Sequence, residues 1–263
     1  MTAILETNEF TRRFGGLVAV DAVSMSVAPG EIRGLIGPNG AGKTTMLNLI
    51  GGFMKPSAGH ITLEGADVTG LRSDRRAALG IRRTFQNLKL FADLTVLQNV
   101  LIGAHTDARS GVFDAIVGTG RHRREEQQMA TAGMAALATV GLQEQAHASA
   151  GLLAYGHRRL LEIARAIVAK PKVLLLDEPA AGLNPTEALQ LVELIRKINA
   201  GGVTVVLVEH HMDVIMSVCS RITVLNYGKK LAEGSPDEIR GNEQVIEAYL
   251  GRAGLEERLA AYA

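Results

Sequence analysis

The stretch GPNGAGKT, Gly37 to Thr44, constrains the fold more than any other part of this chain. It matches G-x-x-x-x-G-K-[ST] and sits between EIRGLIG at 31–37, which reads as a strand, and a segment with helical apolar spacing at Met46, Leu47 and Ile50. A strand, glycine-rich loop and helix in that order turn successive backbone N–H groups toward one point, and the helix start adds a favourable dipole. Bulky side chains would block that convergence, and Gly40, Ala41 and Gly42 carry none. The expected ligand is a nucleotide polyphosphate lying along Gly37, Pro38, Asn39, Gly40, Ala41, Gly42, Lys43, Thr44 and Thr45. Lys43 would neutralise its outer phosphates and Thr44 would ligate Mg²⁺.

A second carboxylate-bearing stretch supplies what such a loop needs. KVLLLDEP at 172–179 is a continuous apolar run of the kind found in strands covered on both faces of a parallel sheet, and it ends in Asp177 and Glu178. A carboxylate at that strand tip is placed to partner Mg²⁺, which assigns Asp177 to the metal. Glu178 beside it can orient or deprotonate the water that attacks the terminal phosphate. The competing reading, two acids that merely end a strand at the surface, loses weight once the upstream loop is considered.

Strands and helices alternate around these motifs. AVSMSV at 22–27 has the two-residue period of a half-buried strand, ITLEG at 61–65 and IRRTFQ at 81–86 read as short strands, and GVTVVLVEH at 202–210 reads as another buried one. A short helix is expected from about Ser73. Thr95 and Gln98 have capping-box spacing for a helix running to about His105, and 121–140 favours helix. PTEALQLVELIRKI at 185–198 has proline at a helix start, and ITVLNYGKKLAEG at 222–234 reads as a hairpin through Tyr227 and Gly228. Residues from about 87 to 169 therefore read as a helical subdomain inserted in one α/β unit spanning 1–263.

Several functional classes are excluded. Lys and Arg total 28 against 27 Asp and Glu, a net charge of +1, which offers no broad attraction for nucleic acid. The one cysteine, Cys219, cannot form an intrachain disulfide, no apolar run approaches a membrane span, and MTAILETNEF lacks the features of a signal peptide. No Asn-Lys-x-Asp segment that would read guanine is present. The arginines Arg72, Arg75, Arg76, Arg82 and Arg83 read as a solvated face rather than a headgroup surface.

Taken in order, GPNGAGKT, Gln86 ending IRRTFQ, LAYGH at 153–157 running into RRLLEIARA, LLLDEP, AGLN at 181–184 and His210 resemble the ATP-binding subunits of ABC transporters over nearly the whole chain. The resemblance implies a P-loop NTPase core with an antiparallel β subdomain and the inserted helical subdomain, binding ATP and Mg²⁺. Leu153, Ala154, Tyr155, Gly156 and His157 fall on the family's signature loop, which closes over ATP held by a second subunit. Read from residues alone, Gly156 is equally a helix opener with Leu160, Leu161, Ala164 and Ile167 as its core face. By the same resemblance Gln86 contacts Mg²⁺ or the water, His210 is a switch histidine toward the γ phosphate, and Phe14 stacks on adenine, with Phe10 as its rival. Asn184 lies where the family usually has Asp, Ala154 where it often has Ser, and His157 where it often has Gln.

Within the family, RTFQNLKLF, DEPAAGLNP and GSPDEIRGNEQVIEAYLG resemble the ATPases of branched-chain amino-acid importers, with amide and urea importers left open. The implied partners are a second ABC ATPase subunit, identical or different, membrane permease subunits and, indirectly, a substrate-binding protein. The implied location is cytoplasmic, peripheral on the inner face of the cell membrane. A soluble ABC-type ATPase of macromolecular or iron-sulfur cluster assembly is the alternative, since it shares every ATP-site motif.

Overall fold

The computed structural model describes residues 2–84, 90–104 and 120–250. Its strands are β1 (Leu5–Phe14), β2 (Leu17–Val27), β3 (Ile32–Ile36), β4 (Ala58–Leu63), β5 (Ala66–Asp67), β6 (Ile81–Arg83), β7 (Val173–Asp177), β8 (Thr204–Val208), β9 (Arg221–Asn226) and β10 (Lys229–Gly234). Its helices are α1 (Lys43–Ile50), α2 (Ser73–Ala78), α3 (Val96–Ala104), α4 (Gly120–Val140), α5 (Tyr155–Ile167), α6 (Pro185–Ala200), α7 (Met212–Val218) and α8 (Pro236–Arg240), and residues 243–250 are also helical.

Every residue of β3, β7 and β8 is buried, because their side chains are covered on both faces. Leu174, Leu176, Val205 and Leu207 join one apolar cluster with α5 and α6, while Leu175, Val206 and Val208 join a second with α1, β1 and β2. The six-stranded sheet has the order β10-β9-β3-β8-β7-β6, parallel except for the β10 edge, and a four-stranded antiparallel sheet, β2-β1-β4-β5, lies across α1. Between β6 and β7 the described elements are all helical: α3, α4, a short 3₁₀ turn at Ala150–Leu152, and α5.

Local signals in the sequence have the expected partners. The Gln98 N–H donates to Thr95 Oγ1 at 3.1 Å and the Thr95 N–H to Gln98 Oε1 at 2.9 Å, the reciprocal cap of α3. The β9-β10 hairpin turns at Tyr227 and Gly228, both with positive φ. Several strands depart from expectation. β2 begins at Leu17 rather than Ala22, and β1 is absent from the sequence reading. Bulges between Thr7 and Phe10 and between Phe10 and Arg12 break the alternation of β1, so its buried residues Leu5, Thr7, Phe10 and Thr11 follow no two-residue period. The expected strand 61–65 is displaced to Ala58–Leu63 because Glu64 and Gly65 form a turn with positive φ.

The arginine group is not one solvated face. Arg72 and Arg75 are exposed beside Asp74. Arg76 is fully buried and its Nη1 donates to the Leu49 and Ile50 carbonyls at 2.6 and 2.8 Å, satisfying the last turn of α1. That burial pulls its pKa down to about 10. Arg83 is buried against Asp177, as described below.

A further buried arginine ties the sheet edge together. Arg33 donates to Glu233 Oε1 at 2.8 Å, Thr223 Oγ1 at 3.1 Å and the Ser26 carbonyl at 2.6 Å, and pairs with Glu31. Burial raises the Glu233 pKa, but hydrogen bonds from Arg33 and Lys230 outweigh it and hold the carboxyl at about 2. Because the folded pKa is depressed, the stabilisation is present above the unfolded carboxyl value of roughly 4.3 and is lost as pH falls toward the folded value. Thermal melting of wild type and Glu233→Gln should therefore show the variant less stable at neutral pH, with the gap closing as pH falls from about 4.3 toward 2.

Candidate nucleotide site

The site is assembled where β3, β7 and β8 end. Leu35 pairs with Val208, and Val208 with Asp177, so the parallel register sets the loop after β3 beside the acids after β7 and the histidines after β8. The loop 37–42 leads into α1, and a Cβ on Gly42, whose φ is +103°, would stand 2.4 Å from the Ala19 carbonyl oxygen. Only glycine lets β2 support the loop from below.

Lys43 is buried, and its Nζ donates to the Gly37 carbonyl at 2.7 Å and the Pro38 carbonyl at 3.0 Å. Burial lowers its pKa, opposed by the negative charge of Glu178 and Asp177, so the three charged groups act on one another. Thr44 and Asn39 are exposed at the loop surface. Asp177 is buried, its Oδ2 accepting from Arg83 Nη2 at 2.7 Å, while Arg83 Nη1 donates to Asn48 Oδ1 at 2.6 Å. Asp177 Oδ1 is buried and accepts no hydrogen bond among the described residues. A buried carboxylate oxygen without a donor, close enough to the phosphate-loop Lys43 to act on its charge, fits a hard cation such as Mg²⁺. Gln86, expected to join that metal, lies outside the described residues.

Glu178 has a left-handed backbone, φ 50°, and its N–H donates to the Val208 carbonyl at 2.8 Å. Its Oε1 lies 2.7 Å from His210 Nε2, so the acid and the histidine chosen from sequence meet directly. His211 beside it has an exposed ring whose Nδ1 is 3.1 Å from Glu209 Oε2. Glu209 itself was not legible as a site residue: its carboxylate is buried and accepts backbone N–H bonds from both Ala180 and His210. Its only sequence signal is an acid ending an apolar strand, the signal that found Asp177, without a motif around it.

Phe14 closes the β1-β2 hairpin, is 41 % exposed, and carries the Arg12 guanidinium 4.7 Å from its ring centre. Phe10 is fully buried, which removes it as a stacking platform. Of the segment 153–157, Tyr155, Gly156 and His157 form the first turn of α5. Leu153 belongs to the apolar cluster of α5 and α6, Ala41 to that of α1, and no hydrogen bond among the described residues joins 153–157 to 37–45. The loop packs instead on 181–187: Tyr155 Oη donates to the Ala181 carbonyl at 3.2 Å, and a Cβ on Gly156 would stand 2.8 Å from Glu187 Oε1. Asn184 caps α6, its Oδ1 accepting from the Glu187 N–H at 3.0 Å. Ala154, Tyr155 and His157 are exposed, and Ala154 occupies the N-cap of α5 with no side-chain hydrogen bond.

This geometry coincides with family membership. Residues 20–181 match the family model described as ABC transporter, and the chain belongs to that family; it is an ATP-binding, ATP-hydrolysing cassette. Residues 229–254 match a second model, described as branched-chain amino acid ATP-binding cassette transporter. The chain is 45 % identical to the high-affinity branched-chain amino acid transport ATP-binding protein LivG of Escherichia coli K12, over 95 % of this chain and 98 % of that one. It resembles the ADP conformation of MJ1267, an ATP-binding cassette of an ABC transporter, with TM-score 0.83 and 31 % identity over 96 % of this chain and all of that one. The dimeric post-hydrolysis cassette MJ0796 bound to ADP and Pi aligns with TM-score 0.74 and 26 % identity over 88 % of this chain and 98 % of that one.

The uncapped start of α5 makes a simple prediction. Ala154→Ser supplies a side-chain acceptor for the first-turn N–H groups and should stabilise the fold by about 1 kcal/mol, a rise of roughly 2–4 °C in Tm by calorimetry.

Proposed function

We propose that this chain is one of the paired ATPase subunits that drive uptake of branched-chain amino acids through a membrane permease. The observation that carries the cargo is the match of residues 229–254, a segment outside the phosphate loop and its acids, to a branched-chain amino-acid cassette model. Full-length similarity to LivG supports the same reading. The soluble assembly ATPase drawn as an alternative from the sequence is not favoured, because the full-length similarity is to transport ATPases. No helix among the described residues is long and apolar enough to cross a membrane. Membrane attachment would then come through the permease on the inner face of the membrane, with a substrate-binding protein upstream.

The segment at 153–157 makes no hydrogen bond to this chain's own phosphate loop among the described residues, which supports a site completed by the same segment of a second subunit, identical or related. The start of α5, where Ala154, Tyr155 and His157 are exposed, would supply further N–H groups to the terminal phosphate. Lys43 exchanges its loop carbonyls for the β and γ phosphates, and Phe14 stacks on adenine. Thr44 and Asp177 would hold Mg²⁺, which would supply charge neutralisation for the phosphates when bound. Glu178 takes a proton from the attacking water, and His210 holds Glu178 and donates to the γ phosphate.

Replacing Glu178 by Gln preserves the hydrogen bond to His210 while removing the base. The variant should bind ATP with near wild-type affinity, lose hydrolysis by about 10²-fold or more, and elute as an ATP-dependent dimer in size-exclusion chromatography. Rapid turnover with unchanged dimerisation would overturn the assignment. Phe14→Ala should weaken ATP binding by about threefold to tenfold in fluorescence titration without lowering Tm, since the ring is largely outside the core.

A further inference from the structure

We propose that Glu209 is a positioning residue of the hydrolysis site, a buried carboxylate that ties the turn after Glu178 to the segment bearing His210. Glu209 is 1 % exposed at the end of β8. Its two oxygens are divided between the two segments. Oε1 accepts the Ala180 N–H at 2.6 Å, and Oε2 accepts the His210 N–H at 3.0 Å and the His211 N–H at 3.4 Å, with His211 Nδ1 at 3.1 Å.

Ala180 is not an isolated loop residue. The Ala181 N–H donates to the Glu178 carbonyl at 3.1 Å, and the Glu178 N–H donates to Val208, so the turn 178–181 is pinned at both ends against β8. Glu209 forms the second of those pins. The first fixes the backbone of Glu178 and the second fixes the turn that follows it, while the other Glu209 oxygen fixes the backbone of His210. The 2.7 Å approach of His210 Nε2 to Glu178 Oε1 is thus framed on both sides by one rigid anion.

A carboxylate suits this place because it accepts on both oxygens. An amide accepts on one and donates from the other. Glu209→Gln would therefore turn an NH₂ toward either the Ala180 N–H or the His210 N–H, and one of the two segments would lose its anchor whichever way the amide lies. An interaction of this sort acts on the geometry of the reacting groups rather than on nucleotide affinity, since Glu209 makes no hydrogen bond to residues 37–45.

The inference rests on the hydrolytic roles proposed for Glu178 and His210, and a double-mutant cycle on the full chain separates the two. Steady-state ATPase kinetics are measured for wild type, Glu209→Gln, His210→Ala and the double variant, with Tm recorded for each. Glu209→Gln should lower kcat by about tenfold with KM within about twofold, and should add little to the loss already caused by His210→Ala. If His210→Ala leaves kcat unchanged, the hydrolytic reading fails. If His210→Ala lowers kcat and Glu209→Gln contributes the same factor in both backgrounds, Glu209 acts independently of His210 and only this inference fails. Unchanged kcat in Glu209→Gln, or a loss confined to KM, also overturns it. Should the variant not fold, amide hydrogen exchange of the wild-type chain decides: Ala180 and His210 should be protected together and open in one step, and exchange of either at the rate of a free loop amide overturns the link.

Discussion

Parallel pairing of β3, β8 and β7 is the constraint on which the rest of this molecule depends. Parallel strands end on the same side of their sheet, so the residues that follow each strand arrive as neighbours although they are far apart in sequence. Here they are the phosphate loop after Ile36, Glu178 after Asp177 at the tip of β7, and the pair Glu209 and His210. The pairing is enforced by burial: with Leu174 and Leu176 on one face and Leu175 on the other, no face of β7 can be left in water. The chemistry at the strand ends is thereby held by the apolar core behind it.

Charge is admitted to this core only where it is answered. Asp177 meets Arg83, Arg76 meets carbonyls of α1, and Arg33 meets Glu31 and Glu233. A buried ion that lost its partner would be strongly destabilising, so these contacts fix geometry as well as charge. One oxygen of Asp177 is held by a guanidinium on β6, while the other accepts no hydrogen bond among the described residues.

Much of this was legible beforehand because the signals were local. The phosphate loop, the terminal acids of β7, the cap of α3 and the hairpin at Tyr227 each occupy a short window in which residue type and geometry are tightly coupled. β1 was missed because its bulges break the two-residue period. Arg76 and Arg83 were grouped with solvent-facing arginines because charge pattern carries no information about depth; both are buried by contacts with residues distant in the chain. Glu209 was passed over for the same reason, since its partners Ala180 and His210 lie on different loops.

By itself, the amino-acid sequence determined the phosphate-loop motif, the acids at the end of β7 and the order in which most strands and helices follow one another. Motif and periodicity are properties of adjacent residues, and they survive without a folded chain. Only the tertiary structure decided that Glu178 touches His210, that Phe14 and not Phe10 is available to stack, and that 153–157 packs on the turn before α6 rather than on the phosphate loop. Each of these depends on how two sheets and the helices between them stack. Stacking follows from the total apolar surface to be buried and from the register of parallel strands, neither of which is written in any one stretch of sequence.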